Sequence, residues 1–248
     1  MGRLPMISRI SRRALLACWT ASVLAVGLLT VIAPSGSALA RRPGASSPIA
    51  PIAPIPPLPL SIAVVEEEGR PVQDAAWVDA QIAEAVRLFE PLGLPLFKAS
   101  SRASSRALPA SFARMETRAD RDALAAALEP KRINVMVVSS LRDVDDPQRY
   151  RMGVHWRHRG TPAKHYIIVS ATARPTTLAH ELGHYFGLGH SDVTDNVMSY
   201  SRTGGPVFFD PEQAERMRSR ARKYVSAKLL DPAQGAAAAP VSPVAPAP

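Results

Sequence analysis

The chain has 248 residues, with 30 Lys and Arg against 21 Asp and Glu, and a single cysteine, Cys18. That length holds one domain with a substantial core and hardly two. The net charge of +9 is not organised into the basic, aromatic-interleaved runs that nucleic-acid binding uses, and one cysteine excludes an intrachain disulfide framework.

Residues 1–40 read as an export signal. Arg3, Arg9, Arg12 and Arg13 form a basic leader, residues 14–33 an apolar run, and Ala38-Leu39-Ala40 a small-residue cleavage site. Cleavage there would leave Arg41 first and a net charge of +5, since four basic and no acidic residues are removed. Arg12-Arg13 also fits a twin-arginine signal. The competing reading is an uncleaved anchor, because the apolar run approaches the ~20 residues that span a bilayer. Residues 41–59 are proline-rich, unable to form a regular hydrogen-bond ladder, and read as an extended linker. Residues 231–248 read as a disordered Ala- and Pro-rich tail.

Between these ends, residues 60–230 alternate between strand and helix patterns. A strand is expected over 60–66. Residues 74–89 place Trp77, Ile82, Val86 and Phe89 at helical offsets, closed by Gly93 and Pro95. Residues 94–99 suit a strand and 118–128 a short helix. The apolar, β-branched run 133–139 suits a central strand. Residues 151–157 and 165–170 read as two more strands, with His155, His158 and His165 solvated near them and not metal ligands. Pro175 and Thr176 start a further helix, with Thr176 or Thr177 as its cap. A basic helix over 211–229 closes the domain.

The densest chemistry lies in the eleven residues from His180 to His190, HELGHYFGLGH. On a helix, His180 and His184 project from one face and can grip one ion. Glu181 is rotated from His180 by about 100°. It falls beside such an ion, where a general base for a metal-activated water belongs. A third ligand needs the chain to leave the helix. Gly187 supplies the left-handed turn, and His190 then arrives from the loop.

With Asn196-Val197-Met198-Ser199-Tyr200 downstream, these residues resemble the metzincin clan of zinc metallopeptidases, whose H-E-x-x-H-x-x-G-x-x-H signature precedes a methionine turn. The short gap from His190 to Met198, and Ser191, are matrixin-like. The Met198-Ser199-Tyr200 ending is closer to astacins and serralysins. The resemblance is specific from Arg174 to Tyr200. It implies Zn2+ on His180, His184 and His190, Met198 as an apolar floor beneath the imidazoles, and Tyr200 within reach of the zinc or the reacting carbonyl oxygen. Ordinary packing is the other reading of Met198 and Tyr200. Asp192 or Asp195 either orients a zinc histidine or belongs to an exposed turn.

The fold implied is α+β and zincin-like: a twisted, mostly parallel sheet with an antiparallel rim strand at 151–157, an active-site helix, and a small C-terminal subdomain ending in a helix. An extended substrate would pair with the rim edge, and residues 201–209 would wall the pocket on its leaving-group side. The expected function is a monomeric, periplasmic or extracellular zinc endopeptidase acting on protein or peptide. The alternative is a catalytically silent zinc-binding module, or an envelope binding module tethered to the membrane through residues 14–33. Glu181 argues for turnover, because a purely structural zinc needs no general base.

Overall fold

The proline-rich stretch ends where the main sheet begins. A computed structural model of the chain describes residues 53–99 and 105–232. The expected export signal with its anchoring alternative, Cys18, most of the linker and nearly all of the tail lie outside the described residues. Ile55 is already buried. Leu58 and Pro59 pair in parallel with Leu96 and Phe97, so the first strand starts two residues before the apolar pattern suggested.

Four strands carry the architecture: β1 (Leu58–Glu67), β2 (Ile133–Val138), β3 (Gly153–Arg157) and β4 (His165–Ser170). β1, β2 and β4 lie side by side in parallel, and β3 closes the edge antiparallel to β4. Short strands at Leu96–Lys98, Arg106–Leu108 and Arg70–Pro71 extend the β1 side. β2 is buried at every position, as a strand covered on both faces must be. Alternate residues feed separate cores. Ile62, Val64, Val135, Val137, Ile167 and Val169 pack under the helices of one face, and Val65, Met136, Val138, Tyr166 and Ile168 fill the other.

The helices are α1 (Ala75–Phe89), α2 (Arg118–Ala123), α3 (Thr177–Tyr185) and α4 (Pro211–Ser226). Asp74 caps α1 by accepting from the Trp77 amide. A Thr117–Asp120 capping box starts α2, and the segment expected to stay helical to residue 128 tightens to a 3₁₀ turn at Leu124–Ala127. Pro211 at the first turn and an Asp210–Gln213 box start α4, which ends at Ser226, three residues short of the predicted limit.

The start of α3 differs from the sequence expectation. Thr176 holds the cap position with helical backbone angles, and its side chain makes no capping bond. The Leu178 amide donates instead to Gln81 Oε1 on α1, at 3.3 Å, while Gln81 Nε2 donates to the Arg174 carbonyl at 2.9 Å. A buried amide from another helix therefore does the capping and fixes the turn that precedes the motif. The two-residue parallel pairing of Arg114–Met115 with Ser140–Leu141 was also not expected; segments that short carry no periodicity. Among the described residues no helix is long and apolar enough to cross a membrane.

Candidate metal centre

α3 buries Leu178, Ala179, Leu182 and Tyr185 against the sheet and turns His180 and His184 away from it. After Tyr185 the chain reverses at Gly187, whose φ of +92° is left-handed backbone. The amides of Phe186, Gly187 and Leu188 close the reversal onto the carbonyls of Leu182, His184 and Gly183. His190 is thereby delivered to the other two imidazoles. His184 Nε2 lies 3.1 Å from His180 Nε2 and 3.2 Å from His190 Nε2.

The second nitrogens determine what these contacts mean. His180 Nδ1 donates to the Val197 carbonyl at 2.7 Å, and His184 Nδ1 to the Leu188 carbonyl at 2.9 Å. Carbonyls only accept, so the proton of each neutral ring sits on Nδ1 and each Nε2 presents a lone pair. Two lone pairs 3.1 Å apart repel unless a cation lies between them. A tetrahedral ion with Zn–N bonds of about 2.0–2.1 Å would space its ligand atoms about 3.3 Å apart, close to the separations found. Burial pushes His180 down to about 4, outweighing the Val197 bond, and also lowers His184, so both stay neutral as ligands must be. The three histidines form a metal-ion site whose nitrogen donors and geometry suit Zn2+.

The carboxylates considered for orienting these rings do not do so. Asp195 sits at a left-handed φ of 61° and accepts from the Thr203 amide at 2.8 Å and from the Thr203 hydroxyl, while Asp192 is exposed. Both belong to the turn.

Met198 is fully buried beneath α3. A Cβ on Gly183 would come within 2.4 Å of Met198 Sδ, so the glycine lets the methionine side chain lie directly against the helix. The turn is held by the Ser191 amide on the Met198 carbonyl (3.0 Å) and by buried Asn196, whose Oδ1 accepts from the Met198 amide at 2.9 Å. Asn196 Nδ2 donates in turn to Gln213 Oε1 at 2.8 Å, tying the turn to α4. Tyr200 is 70% exposed, with its ring 4.8 Å from the His190 ring and its hydroxyl 2.9 Å from His190 Nε2.

Glu181 points from α3 towards the rim and is 5% exposed. Burial pushes its carboxyl up to about 8, against a hydrogen bond from the His155 backbone and the charge of Arg151. A Cβ at Gly153 would lie 2.8 Å from Glu181 Cγ and 2.9 Å from Oε1, so Gly153 makes room for this carboxyl. That role was invisible in the sequence, where Gly153 merely interrupts a strand pattern.

Beside His180 and Glu181 opens a cavity of about 280 Å³. Of residues 201–209, expected to wall the pocket on the leaving-group side, Arg202 lines this cavity. Its other walls come from residues 150–153, from the start of α3 and the turn before it, and from Ser199 and Tyr200.

His155 and His165 are half-buried and not simply solvated as expected. They contact each other at 2.9 Å between Nε2 and Nδ1, and His165 stacks on Tyr185 at 4.3 Å. Burial lowers His155 to about 3 and His165 to about 4, which keeps both rings neutral. Neither they nor His158 join the metal cluster.

No protein-family model and no curated protein sequence matches the chain. Solved structures do. Mature mirolysin of Tannerella forsythia, in complex with a cleaved peptide, superposes with a TM-score of 0.54 at 13% identity, covering 73% of this chain and 100% of that one. Metalloproteinase-II from Bacteroides fragilis gives 0.46 at 16% identity over 67% of this chain and 53% of its own. A zinc-dependent peptidase from Methanocorpusculum labreanum gives 0.32 at 14% identity, over 66% and 99%. The chain has the α+β, zincin-like metallopeptidase fold.

Proposed function

We propose that the chain is an exported, monomeric zinc endopeptidase of metzincin type, with His180, His184 and His190 as ligands, Glu181 as general base and Tyr200 as an oxyanion donor. The observation that carries this reading is the buried Glu181 carboxyl, held next to three convergent imidazoles at the mouth of a cavity. A purely structural zinc site needs no such group. When bound, zinc would supply Lewis acidity, acidifying water and polarising a carbonyl.

The chain's own residues supply the rest. Glu181, raised by burial towards neutral pH, takes the proton of the attacking water and passes it to the leaving amine. The Tyr200 hydroxyl, beside His190, donates to the oxyanion that develops on the substrate. Met198 and Gly183 fix the depth at which the imidazoles sit.

The rim strand supports a peptide substrate. Bonds from the Ser170 amide to Met152 and from the His158 amide to Lys164 bracket the pairing of β3 with β4. By alternation, Val154 and Trp156 spend their backbone groups on β4, while Gly153, His155 and Arg157 turn theirs to the outer edge, where the His155 amide donates to Glu181. An extended peptide can add there as a further strand. The mirolysin structure holds a cleaved peptide, which agrees with a peptide as this chain's substrate. Export would use residues 1–40 and leave Arg41 as the mature N-terminus.

Glu181→Gln in the full chain tests the reading. Hydrolysis of a quenched peptide pool should fall by roughly 10²–10⁴-fold, with zinc content unchanged. Equal cleavage by both proteins would remove Glu181 from the mechanism. Zinc-loaded wild type that is inert on every peptide would leave the silent binding module.

A further inference from the structure

The cavity beside Glu181 is lined by more positive than negative side chains. Arg151, Arg174 and Arg202 all line it, and Glu181 is the only carboxylate among its lining residues. Arg151 is neutralised in part by Asp143, at 2.5 Å and 2.6 Å. Arg202 donates to the carbonyls of Asn196, Val197 and Ser201 and lies in the field of Asp195. Arg174 has no ion pair or side-chain hydrogen bond among the described residues. Thr176 and Thr177 bring the start of α3 to the same wall, where the helix dipole favours negative charge. Three guanidinium groups stand around a single carboxyl, so the lining of the cavity carries an excess of positive charge.

Position makes this charge relevant to a substrate. The cavity touches His180 and Glu181 directly, so a side chain entering it belongs to a residue next to the reacting carbonyl. A peptide added antiparallel to β3 runs with its C-terminal half over the Gly153 end of the strand, where the cavity opens. A volume of about 280 Å³ lies below the usual range for small-molecule sites and suits one side chain.

We propose that this cavity receives the side chain immediately C-terminal to the scissile bond and selects aspartate or glutamate there, with Arg174 and Arg202 as its anion-binding residues. The proposal rests on the peptidase reading for the bond cut, but its selectivity for an acidic side chain can be tested separately.

The experiment uses the zinc-loaded full chain and quenched peptides identical except for Glu, Asp, Ala, Leu or Lys at one position, with cleavage sites read by mass spectrometry. Acidic peptides should be cut before that residue with kcat/KM roughly 10–100-fold above the Ala and Lys peptides, the usual worth of a charge-assisted bond. Arg174→Glu should abolish that preference and favour Lys. It changes an exposed, unpaired side chain, so folding is not at issue. In parallel, calorimetry compares short peptides beginning with Glu, Ala or Lys. Cleavage that favours Leu or Lys, or shows no preference, overturns the proposal. Absent cleavage with Glu-selective binding that Arg174→Glu removes would uphold the pocket and sink the peptidase reading. Neither cleavage nor selective binding overturns both.

Discussion

His180, His184 and His190 come from eleven consecutive residues, whereas Arg151, Arg174 and Arg202, facing the adjoining cavity, come from three separate segments. The first group is placed by one helix and one glycine turn. The second depends on the sheet holding β3 at its edge, on Gln81 of α1 fixing the turn before α3, and on the Asn196–Gln213 pair anchoring the segment before Arg202. The two sites share a wall at His180 and Glu181. Local geometry therefore sets the chemistry, and tertiary packing sets what is presented to it. A substitution in the motif should act on metal and turnover with little effect on selectivity, and a substitution in the supports should do the reverse.

The largest effect should come from removing the ligand that the glycine turn delivers. His190→Ala leaves two imidazoles, and zinc affinity should fall by more than about 100-fold, since losing only an orienting partner of a ligand already costs 10–100-fold. His190 is exposed, so circular dichroism should be unchanged. Full zinc retention by elemental analysis would show that His190 is not the third ligand.

Tyr200→Phe probes the same contiguous stretch more gently. Its ring is largely exposed, and among the described residues its hydroxyl meets only His190. Stopped-time kinetics should show kcat reduced roughly 10–1000-fold with little change in KM or Tm. An unchanged kcat would assign the hydroxyl no part in the reaction.

The same contrast governs what could be read from the sequence. The histidine spacing, Gly187 and the strands at 133–139 and 165–170 were legible because offsets of four residues on a helix, or a continuous apolar run, express their geometry locally. The partners of the imidazoles were not. Carbonyls of Val197 and Leu188 orient the rings, and a backbone carbonyl leaves no mark on residue type. Nor could Gly153 be read as the site that accommodates Glu181, because its neighbour is 28 positions away in the chain and on another element. His155 and His165 were read as solvated because nothing in the sequence announces that Tyr185 will stack on one of them.

The smallest expected effect lies in the supports, behind the far end of the rim. Asp122 on α2 accepts from Trp156 Nε1 at 2.8 Å and from Arg159 Nε at 2.7 Å, clamping β3 and the loop that follows it. Partial burial works against its charge, but the bonds from Trp156 and Arg159 outweigh it and hold the carboxyl below the usual aspartate value. A depressed carboxylate stabilises the fold above its unfolded value and loses that contribution as pH falls through its folded one. Asp122→Asn keeps the shape and removes the charge, which should lower stability at pH 7 by about 1 kcal/mol, or roughly 2–4 °C in Tm. The difference between wild type and variant should begin to shrink as pH drops below about 4, where the unfolded chain takes up the proton first, and should vanish only at the lower pH where the folded carboxyl is neutral as well. Thermal melts from pH 7 to pH 3 read this directly, with zinc content as the control that the metal centre is untouched. A gap that stays constant across that range would mean Asp122 holds the rim by shape alone, and the charge would have no part in positioning the strand against which a substrate pairs.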